Sequence, residues 1–185
     1  MTEYPKASEK TLLRKELLAK RKELSEAYRR NAGESIQQQI LSSPEYAAAR
    51  SLFVYMSMPG EPPTERIIRR ALSDGKEVYV PKCVGGELFA VRIRSTEEMQ
   101  PGTMGILEPT CCAETKSADE FDLILVPCVS VSSDGRRLGH GGGYYDRFLA
   151  RERSNTLCLC FKHMLCKDIP VEETDVRIAR VISEK

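Results

Sequence analysis

Asp122-Leu123-Ile124-Leu125-Val126-Pro127 is a continuous apolar run, opened by an acid and closed by a proline. With no polar alternation, it predicts a strand covered on both faces, the pattern of a parallel sheet. Ser51-Leu52-Phe53-Val54-Tyr55-Met56 has the same character. Residues 77–80, 88–93, 156–161 and 175–181 supply further strand candidates, with Pro81 closing the first and Gly85-Gly86 turning into the second. Between them lie helical stretches. Residues 8–30 read as one long helix capped by Ser8, with Leu13, Leu17, Leu24 and Tyr28 on a single stripe. A second stretch, around 33–41, ends near Ser43-Pro44. Thr64 is placed to cap a third, whose face is Ile67, Ile68, Ala71 and Leu72 and whose stop is Asp74-Gly75. Residues 144–151 form the last helix, and 94–120 read as irregular. Strands alternating with helices predict an α/β fold built on a largely parallel sheet.

The chain has 185 residues, a length that predicts one domain over 1–185. Twenty-eight basic residues against 27 acidic ones give a net charge of +1, so no general field draws nucleic acid or an acidic membrane. Any anion site must be local. No apolar run approaches the ~20 residues that cross a bilayer, and the Met1-Thr2-Glu3-Tyr4-Pro5-Lys6 start lacks a secretory apolar core. The seven cysteines show no C-x-x-C spacing. They read as reduced thiols of a cytoplasmic protein.

The stretch Arg136-Arg137-Leu138-Gly139-His140-Gly141-Gly142-Gly143-Tyr144-Tyr145-Asp146-Arg147 carries the chemistry. Four glycines within five positions are entropically costly unless the backbone must approach a ligand. A glycine-rich turn entering a helix presents N–H groups to phosphate, and Arg136, Arg137 and Arg147 add cationic donors. There is no G-x-x-x-x-G-K-[ST], and Tyr144 stands where a dinucleotide fingerprint counted from Gly139 needs its last glycine. The plain alternative is a flexible surface turn. The adjoining Tyr-Tyr-Asp-Arg speaks against it.

The segment Arg137 to Asp146 resembles the signature of the 5-formyltetrahydrofolate cyclo-ligase family, also called 5,10-methenyltetrahydrofolate synthetases, with His140 a departure within it. Lys10-Thr-Leu-Leu-Arg14 is similar to the family's opening K-x-x-x-R. Tyr55-Met-Ser-Met-Pro-Gly-Glu61 with Thr64, Val126-Pro127 and Glu173-Thr174-Asp175-Val176 follow in the family's order. The resemblance spans about residues 6–180. It implies a three-layer α/β sandwich similar to the sugar-phosphate isomerase and CoA-transferase group. It further implies a cytoplasmic enzyme that takes 5-formyltetrahydrofolate and ATP, with Mg²⁺ as cofactor.

The residue roles are implied in the same way. Lys10, Arg14, Arg137 and Tyr145 are the catalytic candidates. Lys10, Arg14, Arg137, Leu138, Gly139, His140, Gly141, Gly142, Gly143, Tyr144 and Tyr145 would hold ATP. Met56, Glu61, His140, Gly141, Gly142, Gly143 and Tyr144 would hold the folate. Asp146 and Asp175 would bind the metal.

Read without the resemblance, most of these positions have plainer roles. Lys10 and Arg14 lie one turn apart, yet with Lys15, Lys20, Arg21 and Lys22 they also read as a solvated basic face. Asp146 can pair with Arg147, and Asp175 can be a surface acid opening the last strand. Met56 and either tyrosine can belong to the core. Two other functions remain open: a related enzyme that phosphorylates a different amide or acid, and a folate- or nucleotide-binding module without turnover. Neither nucleic acid nor a membrane is expected as a partner. Monomer and homodimer stay undecided.

Overall fold

The computed structural model describes residues 6–102, 105–110, 114–150 and 155–185. Two long helices open the chain, α1 (Lys6–Glu23) and α2 (Glu26–Leu41), followed by the single turn α3 (Pro44–Ala48). The 8–30 stretch is therefore two helices, and Ser8 lies inside the first. The break falls at Leu24-Ser25, where the Ser25 hydroxyl accepts from the Tyr28 N–H and caps α2. Leu24 is buried at the corner, and α2 runs unbroken through residues 33–41.

Strand β1 (Ser51–Val54) leads through a loop to α4 (Glu65–Ser73), then to β2 (Glu77–Val84) and β3 (Glu87–Ile93). Thr64 precedes α4 but caps nothing with its side chain. Its hydroxyl donates instead to the Tyr55 carbonyl at 2.7 Å, closing the base of the loop. Pro81 does not end β2. Beyond Tyr79 the strand has left β1, so its outer edge asks for no N–H there. The described residues of the irregular 94–120 region form small pieces, among them β4 (Met99–Pro101), β5 (Leu107–Pro109) and β6 (Thr115–Lys116).

The second half is β7 (Leu123–Val126), the short ribbon β8 (Ser130–Val131) and β9 (Arg137–Leu138), then α5 (Tyr144–Leu149), β10 (Thr156–Leu159) and β11 (Arg180–Ile182). The last strand is shorter than the sequence implies. Asp175 sits in a turn of the preceding loop, its N–H bonded to the Glu172 carbonyl.

Among the described residues seven strands form the main sheet, in the order β11-β10-β7-β1-β2-β3-β6. The first five run parallel, β3 runs antiparallel to β2, and β6 runs antiparallel to β3, with helices flanking the sheet. Every residue of β1, β7 and β10 is buried. That is why these strands read as unbroken apolar runs. Asp122 accepts the Arg50 and Ser51 N–H groups at 2.8 Å, pinning β1 to β7 at their starts. From β1 the chain winds outward through β2 on one side, then returns to lay β7 and β10 on the other. The winding reverses between β1 and β7. In open α/β sheets, ligands bind beyond the carboxyl ends of the strands at such a switch.

Candidate active site

Both loops leaving that switch point are rich in chemistry. After β1, the Met58-Pro59-Gly60-Glu61 turn closes with the Glu61 N–H on the Met58 carbonyl, Gly60 being left-handed at φ +88°. The Met58 N–H returns a bond to Glu61 Oε2 at 3.0 Å. Glu61 Oε1 lies 3.1 Å from His140 Nε2, so the two loops meet through this pair. The Glu61 side chain is only 3% exposed, whereas that of His140 is 39% exposed. Met56, on the same loop, packs partly buried against the core.

After β7, the β8–β9 ribbon delivers Arg137 and the glycine loop. Gly141 (φ +99°) and Gly143 (φ +64°) adopt left-handed backbone that other residues rarely take. The bare loop lets guanidinium groups lie against it. A Cβ on Gly141 would sit 3.3 Å from Arg14 Cζ, and one on Gly139 would sit 2.8 Å from Arg137 Nη1. Leu138 is buried, so it offers the site only its backbone.

Helix α1 closes the site from the side. Lys10 Nζ donates to Asp175, Arg14 Nε to the Gly139 carbonyl at 2.8 Å, and Arg21 Nη2 to the Cys128 and Val129 carbonyls at 2.5 and 3.0 Å. At 100° per residue, these three cations and Leu17 fall within about 60° of arc, so one helix face docks on both loops. Arg21 is a residue that sequence reasoning set among the solvated bases; it is 7% exposed. Its spacing from Arg14, seven residues with buried Leu17 midway, is the signal that was there to be read.

The remaining candidates divide. Arg137 Nη2 pairs with Asp146 Oδ2 at 2.9 Å, and Arg137 Nη1 bonds the Pro127 carbonyl. Asp146 thus pairs with Arg137 rather than Arg147. Arg147 instead donates to the Gly142 and Gly86 carbonyls and lies over the Tyr144 ring. Arg136 turns away to Asp134 and the Lys167 carbonyl. Tyr145 stacks on Phe53 and joins the core's edge, while its buried hydroxyl has no partner among the described residues. Burial pushes its phenol far above the ordinary range, and the Glu61 charge adds to this. The group is thus a hydrogen-bond donor rather than a base. The Val176 N–H donates to Asp146 Oδ1 at 3.3 Å, bringing the Asp175 turn against α5.

Residues 10, 14, 61, 137–146 and 175 therefore share one locus, although they come from four separate parts of the chain. The family model described as the 5-formyltetrahydrofolate cyclo-ligase family matches residues 6–184. The chain belongs to that cyclo-ligase family. It is 31% identical over 196 residues to mouse 5-formyltetrahydrofolate cyclo-ligase, covering 96% of this chain and 94% of the relative. The Escherichia coli K12 cyclo-ligase is 26% identical, with 89% and 94% covered. The NMR structure of Aquifex aeolicus 5,10-methenyltetrahydrofolate synthetase superposes with a TM-score of 0.84 at 31% identity, over 94% of this chain and 88% of that one. The Mycoplasma pneumoniae synthetase shares the fold, with a TM-score of 0.77 at 20% identity, over 95% and 99% of the two chains.

For a cyclo-ligase the fit of a divalent ion is a question about oxygen donors. Asp146 and Asp175 supply only carboxylate oxygens and approach each other through Val176. Among the described residues there is no cluster of three or more side chains able to hold a metal. Mg²⁺ suits such a sparse set, since it is commonly held by one or two carboxylates plus substrate phosphates and water. The donors fit.

Proposed function

We propose that this chain uses ATP to close 5-formyltetrahydrofolate into 5,10-methenyltetrahydrofolate, releasing ADP and phosphate. The observation that carries the reading is the meeting of the α1 cations, the glycine loop and Glu61 at the switch between β1 and β7. The chemical obstacle is the N5-formyl amide, whose oxygen is a poor leaving group. Attack of that oxygen on the γ-phosphorus breaks the bond to ADP and leaves an iminophosphate. N10 then forms its bond to the activated carbon, phosphate departs with the C–O electron pair, and N10 loses its proton. The substrate supplies both nucleophiles, so the protein needs to position reactants and balance charge.

In this reading Lys10, Arg14 and Arg137 stabilise the transferring phosphoryl group, with the backbone of 138–145 around the phosphates. Tyr145 serves as a fixed donor. Glu61 accepts N–H groups of the pterin. His140, which already touches Glu61, stands at the junction of the two substrates, with Gly141, Gly142, Gly143, Tyr144 and Met56 lining the folate. Asp146 and Asp175 would hold Mg²⁺, which when bound neutralises phosphate charge. In this structure Lys10 and Arg137 neutralise those two acids instead. The substrates are small molecules. The described cysteines are all free thiols, which supports a reducing compartment such as the cytoplasm. Among the described residues, no helix is long and apolar enough to cross a membrane.

One assay tests the reading. The purified protein is mixed with 5-formyltetrahydrofolate and Mg-ATP while the methenyl absorbance is followed. ATP-dependent product that vanishes in Asp146→Ala supports it. ATP hydrolysis without that product favours an enzyme for another amide or acid, and tight binding without turnover favours a binding module.

A further inference from the structure

Glu61 is a nearly buried carboxylate with one backbone donor and one histidine, and a third group stands behind it. Arg21 Nη1 is 3.8 Å from Glu61 Oε1, and the side chains of the two are 8% and 3% exposed. The other end of the guanidinium is fixed by the Cys128 and Val129 carbonyls, just past β7. Its aliphatic stem passes under the turn, where a Cβ on Gly60 would lie 3.2 Å from Arg21 Cδ. Among the described residues its buried Nε finds no partner, and its contacts are made through the two terminal nitrogens.

We propose that Arg21 is a positioning residue for folate recognition, fixing the Glu61 carboxylate at the switch point as its permanent counter-charge. The physical requirement is plain. A carboxylate kept from water retains its charge only beside an opposite charge or strong donors. His140 is the more exposed neighbour, its side chain 39% exposed against 8% for Arg21, so the shielded counter-charge is the guanidinium. Arg21 approaches from α1, on the side braced by the protein, and its planar fork spans two carbonyls and the acid together. One rigid group thus sets the distance between the loop after β1 and the loop after β7. The inference rests on the reading of Glu61 as a folate contact.

The test is a double-mutant cycle of Arg21→Met and Glu61→Gln, with Arg21→Lys as a milder third variant. The readouts are KM for 5-formyltetrahydrofolate, KM for ATP, and Tm. Arg21→Met is expected to raise the folate KM ~10-fold or more while the ATP KM moves less than ~2-fold. In the Glu61→Gln background the same change should alter the folate KM less than ~2-fold, because the charge it served is gone. Arg21→Lys should recover part of the loss. Equal, additive effects in both backgrounds, or parallel losses for both substrates, would overturn the proposal and leave Arg21 a structural clamp. If Glu61→Gln alone leaves the folate KM unchanged, the underlying reading of Glu61 fails instead. Should Arg21→Met not fold, the Arg21→Lys cycle decides by the same criteria.

Discussion

Lys10 and Asp175 are separated by 165 positions, yet Lys10 Nζ lies 2.5 Å from one carboxylate oxygen and 2.8 Å from the other. Glu172 adds a third oxygen at 3.4 Å. The first helix is thereby clasped to the loop before the last strand, across the mouth of the site. Exposed ion pairs contribute little, but the Lys10 side chain is only 10% exposed, which reduces solvent screening.

Replacing either of the two α1 cations assigned to phosphate, as Lys10→Gln or Arg14→Gln, should raise the KM for ATP ~10-fold or more, about 1.4 kcal/mol of lost binding. Folate affinity should change less than ~3-fold. Steady-state kinetics with each substrate saturating in turn will show it. The reverse pattern would mean that the two substrate sites are exchanged.

Asp146→Asn should abolish most turnover and raise the Mg²⁺ concentration needed for half-maximal rate. It also takes the charged partner from Arg137, whose side chain is 4% exposed. A hydrogen bond to a charged group contributes about 2 kcal/mol, so Tm should fall by ~4–8 °C in a protein of this size. Calorimetry and a Mg²⁺ titration check the two halves separately. An unchanged Mg²⁺ requirement would remove Asp146 from the metal site.

Gly135 turns the β8–β9 ribbon at φ +83°, and a Cβ there would lie 2.2 Å from the Ile178 carbonyl oxygen. Gly135→Ala therefore combines left-handed strain of about 1–2 kcal/mol with a backbone collision. Displacement of the 176–178 segment should follow, together with a Tm drop above ~5 °C and a weaker Mg²⁺ response. A variant with wild-type Tm would show that the ribbon and that segment are not coupled.

Bonds from Ser51 and Arg50 hold the Asp122 carboxyl below its ordinary value of 3.8. A depressed folded-state value stabilises the native chain above the unfolded value. That contribution is lost as pH falls from about 4 through the folded value. Wild type should therefore lose its Tm advantage over Asp122→Asn on acidification. A constant gap from pH 6 to pH 3 would refute the assignment.

The sheet was legible because β1, β7 and β10 are covered on both faces, and such strands leave unbroken apolar runs. The break between α1 and α2 was not, because Leu24 and Tyr28 keep helical spacing straight across it. Only the Ser25 cap marks it. Asp175 reads as part of a strand since 175–181 is rich in β-branched residues, but the chain spends 172–176 reaching back to Lys10 and Asp146. The candidate residues that the structure brings together came mostly from a motif that concentrates them in sequence. Arg21 was passed over because it stands among Lys15, Lys20 and Lys22, and only its register with Arg14 and Leu17 sets it on the docked face. The pairing of His140 with Glu61 was invisible because it joins two loops 79 positions apart.

The pairing of Asp146 with Arg137, and of Asp175 with Lys10, has a bearing on the order of events. On the proposed reading, free magnesium meets two acids whose charge is already balanced, and gains little by entering alone. A triphosphate draws both bases toward itself and uncovers both acids at once. Ion and nucleotide should accordingly load together, and the resting protein should ignore magnesium until ATP is present.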